Sequence, residues 1–86
     1  SSYTKVRIMS NGLNEIVYLC RELSIKKDGN YMAACDYYGT LDSVLVVVID
    51  RKTPWAEVKD FVISADVWLS NQPEIDAVIK KLKGLL

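Results

Sequence analysis

Hydrophobic positions recur along this chain with two different periods. Tyr3 to Met9 alternates, with Thr4, Val6 and Ile8 on one side and Tyr3, Lys5, Arg7 and Met9 on the other. That period of two predicts a half-buried strand, broken by Ser10-Asn11-Gly12. From Asn11 to Leu23 the period becomes helical. Leu13, Ile16, Val17, Cys20 and Leu23 form one stripe, Leu19 widens it, and Arg21 and Glu22 face water. Asn11 or Asn14 is placed to cap this helix, and Asp28-Gly29-Asn30 stops it. Tyr31 to Tyr38 reads as a strand rich in aromatics, although two alanines dilute the signal. Gly39 permits a turn, and Thr40-Leu41 begins a short return strand. At the other end, Ile75, Val78, Ile79, Leu82, Leu85 and Leu86 make a second helical stripe. Pro73 sits in its first turn, Glu74 and Asp76 lie near its positive end, and Lys80, Lys81 and Lys83 near its negative end.

Two stretches between these elements carry conflicting signals. Ser43 to Arg51 is a continuous apolar run whose valines and isoleucine favour a buried strand, because branched side chains lose freedom in a helix. Its flanks favour a helix, with Asp42-Ser43 as a capping pair before it and Asp50-Arg51-Lys52-Thr53-Pro54 as a stop after it. Thr53-Pro54 then looks like a helix start, and Trp55, Val58, Val62 and Ala65 keep helical spacing. Phe61, Ile63, Ala65 and Val67 alternate with Val62, Ser64 and Asp66 as a strand does. Pattern alone leaves both stretches open.

Composition narrows the classes of function. With 86 residues the chain is a single domain, 1–86, with an ordinary globular balance of 50% hydrophobic and 26% charged residues. Its 11 basic and 11 acidic residues cancel, which argues against a partner recognised through many phosphates, so no nucleic acid is expected. No apolar run approaches the ~20 residues of a membrane span, and no signal peptide is visible, so a cytoplasmic protein with reduced thiols is expected. Cys20 and Cys35 do not form a C-x-x-C pair, and the chain has no histidine. No metal site or cofactor is therefore expected. No P-loop, dinucleotide fingerprint or catalytic triad appears. The aromatics Trp55, Trp68, Tyr31, Tyr37 and Tyr38 read as core or edge packing in preference to a ligand platform.

The order of elements, and a few short motifs, resemble the histidine-containing phosphocarrier (HPr) family of the bacterial sugar phosphotransferase system. Gly12-Leu13-Asn14-Glu15-Ile16-Val17-Tyr18 falls where that family has Gly-Ile/Leu-His-Ala-Arg-Pro-Ala. Leu41-Asp42-Ser43-Val44-Leu45-Val46 is similar to its regulatory stretch Leu/Ala-Lys-Ser-Ile-Met-Gly. Lys5-Val6-Arg7-Ile8 and Asp50-Arg51-Lys52-Thr53-Pro54 resemble segments of clostridial-type relatives that lack the histidine. The resemblance implies an α+β fold, an HPr-like open-faced β-sandwich of order βαββαβα. It would have a four-stranded antiparallel sheet with three helices on one face. Residues 43–50 would be the second helix and residues 57–65, approximately, the fourth strand.

The same resemblance argues against the family's activity. Phosphoryl transfer there needs a nucleophilic imidazole and an arginine that binds the phosphoryl oxygens. Asn14 stands at the histidine, Ile16 at the arginine and Val17 at the proline. Gly12, Leu13, Asn14, Glu15, Ile16 and Val17 are thus expected to be a degenerate site, and Glu15 a first-turn glutamate rather than a phosphate acceptor. The implied protein is non-catalytic and binds or regulates a protein partner. Ser43 corresponds to the family's phosphorylatable serine, whose modification would change partner choice electrostatically, although a plain N-cap role also accounts for a serine here and Asp42 and Val46 depart from the family's basic residue and glycine. Val44, Leu45 and Val48 correspond to its partner-facing apolar surface, with burial in a small core as the other reading of the same residues. A different fold remains open: residues 43–50 as a strand and 54–69 as a helix, in an unrelated three-stranded α+β domain that binds a small ligand or self-associates.

Overall fold

The structure, a computed structural model, describes residues 12–54, 57 and 59–86. The strand expected over Tyr3–Met9, the cap at Asn11, and Trp55 and Val58 lie outside them. The described residues run α1 (Leu13–Ile25), β1 (Tyr31–Tyr38), β2 (Ser43–Asp50), β3 (Ile63–Trp68) and α2 (Gln72–Leu85). The sheet is antiparallel throughout, in the order β1-β2-β3, so β2 is its centre.

The α+β class holds, and the βαββαβα arrangement with four strands and three helices does not. The described residues contain three strands and two helices. The decisive segment is 43–50, which the resemblance makes a helix and which is the central strand. The χ1 stiffness of Val44, Val46, Val47, Val48 and Ile49 wins over the flanking cap-like residues. As a strand the segment buries Val44, Val46 and Val48 completely. Asp42 does not cap a helix. It adopts a left-handed conformation, φ 48°, which aspartate tolerates better than most residues. It closes the 39–42 turn, and the Tyr37 hydroxyl donates to its Oδ1 at 2.8 Å. Thr40-Leu41 belongs to that turn rather than to a return strand. The last strand is Ile63–Trp68, later than the expected 57–65, and the alternative helix over 54–69 is not formed there either.

Strand register explains which residues form the core. Ala33, Val48 and Ile63 lie side by side, as do Cys35, Val46 and Ala65, and Tyr37, Val44 and Val67. Side chains alternate across a sheet, so all of these share one face. Both helices pack on that face. Ile16, Leu19, Cys20 and Leu23 of α1 and Ile75, Val78, Ile79 and Leu82 of α2 join the valines in one buried cluster. Val17, read as part of the α1 stripe, is instead 47% exposed.

Four local contacts fix the helices. Gly12 caps α1 with φ 96°, and a Cβ there would lie 2.8 Å from Ile75 Cγ2, so the start of α1 abuts α2. At the other end of α1, Arg51 follows β2 and donates through Nη1 to the carbonyl of Lys26. Its Nη2 reaches the carbonyls of Leu23, Ser24 and Tyr31. Ser24 Oγ accepts from the Ala33 N–H at 3.0 Å and donates to the Ala33 carbonyl at 3.2 Å. That occupies part of the outer edge of β1, an edge that no strand of the described residues pairs. In α2, Asn71 Oδ1 accepts from the Glu74 N–H, and Pro73 stands in the first turn as expected.

Candidate functional site

The first turn of α1, expected to be a degenerate site, sends its side chains into different surroundings. Leu13 is half-buried and Asn14 is exposed. Glu15 pairs with Lys83 of α2 at 3.0 Å, and Ile16 is wholly buried in the core. The side chain at the position of the family's arginine therefore points into the domain, away from any anion at the helix start. Ser43 opens β2 rather than a helix, and it is only 1% exposed. A kinase needs the hydroxyl at the surface, so Ser43 in this fold is a packed residue. Of the expected partner surface, Val44 and Val48 are fully buried on the helix-covered face and Leu45 is half-buried on the opposite one. Structure thus separates residues that the resemblance groups together.

The opposite face is the more informative surface. Register places four rows on it: Tyr38–Ser43–Trp68, Asp36–Leu45–Asp66, Ala34–Val47–Ser64, and Met32–Ile49. Neither helix of the described residues packs there. Leu45 and Val47 are half-buried without helical cover, and Met32, Tyr38 and Trp68 are exposed, Trp68 to 63%. Ile49 is buried outside the main cluster, at the end where Thr53, Glu57 and Val62 border a depression of about 270 Å³. Ser43 Oγ, between Tyr38 and Trp68, has no hydrogen-bond partner among the described residues.

Within the three strands the charge on this face has one sign. Asp36 and Asp66 are both exposed and flank Leu45. With strands about 4.8 Å apart, the two carboxylates stand roughly 10 Å from each other. No lysine or arginine occurs in any of the three strands. The turn beside the first row adds Leu41, 65% exposed, and Tyr37, whose hydroxyl is held protonated to higher pH than usual, chiefly by its hydrogen bond to Asp42. Sequence reasoning assigned Tyr38 and Trp68 to packing. Their position on one row was not visible until the partners of β2 were known. The alternation of Ser64, Asp66 and Trp68 against Ile63, Ala65 and Val67 was the available signal.

A depression of about 420 Å³ between β3 and α2 is lined by Val62, Ile63, Ser64, Lys81, Gly84 and Leu85. Among the described residues, no three His, Cys, Asp or Glu side chains are grouped as metal ligands would be, and no helix is long and apolar enough to cross a membrane. No protein-family model, curated protein or solved structure matches this chain.

Proposed function

We propose that this domain is a non-catalytic protein-binding module, and that the face of its sheet that neither α1 nor α2 covers receives a basic, amphipathic segment of a partner. One arrangement carries the reading: an apolar stripe through Leu45 and Val47, flanked by Asp36 and Asp66 and closed at one end by Tyr38 and Trp68. Apolar strips bordered by charge mark protein contacts, and aromatic residues at their margins are frequent anchors. Acidic flanks select lysine and arginine on the incoming segment and repel phosphates. They also disfavour a second copy docked face to face, which would bring two pairs of carboxylates together.

Size sets the expected strength. Three strands spaced about 4.8 Å apart and sharing six to eight residues of about 3.3 Å give a patch of roughly 300–350 Å². That is well below the ~800 Å² per partner of a standard stable interface. Binding is therefore weak and reversible, with electrostatic attraction supplying much of the selectivity. An idealised Leu/Lys amphipathic helical peptide tests this by calorimetry. Micromolar binding is expected, weakening as salt rises, with Asp36→Asn plus Asp66→Asn reducing affinity roughly tenfold. Equal binding of a matched Leu/Glu peptide, or a salt-independent dimer in sedimentation, would overturn it.

A further inference from the structure

α1 meets β1 along a line with one fixed point. Ser24 Oγ makes two hydrogen bonds to the backbone of Ala33, at 3.0 and 3.2 Å. One turn back along α1, about 6 Å, stands Cys20 on the same helix face as Ser24. Two residues forward along β1, about 6.6 Å, stands Cys35 on the same strand face as Ala33. The two steps match in length, so the thiols face each other across the helix–sheet contact. Cys20 is buried within the core cluster, and Cys35 packs against that cluster while keeping partial exposure. Burial, reinforced by the neighbouring Cys35 thiol, pushes the Cys20 thiol up to about 12.

We propose that Cys20 and Cys35 are a thiol pair that closes reversibly into an intramolecular disulfide when the protein meets a low-molecular-weight disulfide such as oxidised glutathione. Cys35, the more accessible thiol, loses its proton to solvent and attacks one sulfur of the reagent. The reagent's S–S bond breaks, one glutathione thiolate leaves, and a mixed disulfide forms on Cys35. Cys20 then gives up its proton and attacks the Cys35 sulfur, expelling the second glutathione. Two protein thiols are oxidised and one disulfide molecule is reduced to two thiols. The buried, neutral Cys20 makes the second step the slower one. The new bond ties α1 to the edge strand across a loop of about 15 residues. It lies on the helix-covered face, so it leaves the Asp36–Leu45–Asp66 surface open.

The test equilibrates the whole protein with reduced and oxidised glutathione, once in buffer and once in urea, and reads intact mass and peptide maps. In buffer the expected product is monomeric, lighter by two hydrogens, and linked Cys20 to Cys35. Its equilibrium constant should exceed that in urea by roughly a hundredfold, because the fold holds the thiols together. Its Tm should rise by roughly 10 °C and return on reduction, and Cys35→Ser should show neither change. A glutathione adduct that persists on Cys35, a disulfide between molecules, or equal constants in buffer and urea would each overturn the proposal.

Discussion

Replacing Arg51 by methionine removes a guanidinium that joins three elements. It follows β2, and it donates to the last carbonyls of α1 and to the first residue of β1, at 2.6 Å to Ser24, 3.0 Å to Tyr31 and 3.2 Å to Leu23 and Lys26. Nη2 has two hydrogens for three of these acceptors, so the set is worth fewer than four full bonds. Hydrogen bonds to charged groups contribute about 1.5–3 kcal/mol each, and less where water competes, as at Lys26. The last turn of α1 has no basic residue of its own. Arg51 therefore also supplies the cation that suits the negative helix end, another ~0.3–1 kcal/mol. A loss of about 2–4 kcal/mol is expected, a large share of the ~5–15 kcal/mol available to a domain of this kind. Urea unfolding followed by far-UV circular dichroism measures it. Arg51→Lys keeps the charge without the planar fork and should restore less than half. A methionine variant within ~0.5 kcal/mol of the parent would refute the view that Arg51 fastens α1 to the sheet.

Other outcomes follow from single contacts. Gly12→Ala should cost about 2 kcal/mol or more by thermal unfolding, because φ 96° disfavours a side chain and its Cβ would meet the buried Ile75. Tyr37 should ionise at higher pH than an unperturbed tyrosine in a spectrophotometric titration, and Asp42→Asn should bring it back toward the ordinary value. The folded-state value of Cys20, raised from 9.0 to about 12, makes the unfolded chain lose its proton first. Stability should therefore be undiminished by this group below pH 9 and fall from there toward pH 12. Cys20→Ala should flatten that part of the profile measured in urea.

The sequence already contained most of the elements and little of their arrangement. Of the α2 stripe, Ile75, Val78, Ile79 and Leu82 are buried as their spacing requires, Leu85 is half-buried and Leu86 is exposed, and β1 spans the expected residues. Ser43–Asp50 was legible as a strand from its valines. Asp42 and Ser43 obscured it, since a residue that closes a turn in the left-handed region and one that caps a helix are drawn from the same small polar types. The HPr resemblance leaned on that ambiguity. Val17 was misjudged because helical spacing defines a stripe without saying how wide a strip of sheet covers it. The acidic, aromatic-ended face was not legible. It depends on Asp36 and Asp66 flanking Leu45 from strands whose pairing only tertiary structure sets.

Backbone amide shift mapping during a titration with the Leu/Lys peptide tests the proposed contact most directly. Perturbations are predicted at Met32, Asp36, Leu45, Val47, Asp66 and Trp68, with α1 and α2 unmoved beyond their ends. Changes concentrated on the exposed faces of the helices, with these six amides unshifted, would contradict it.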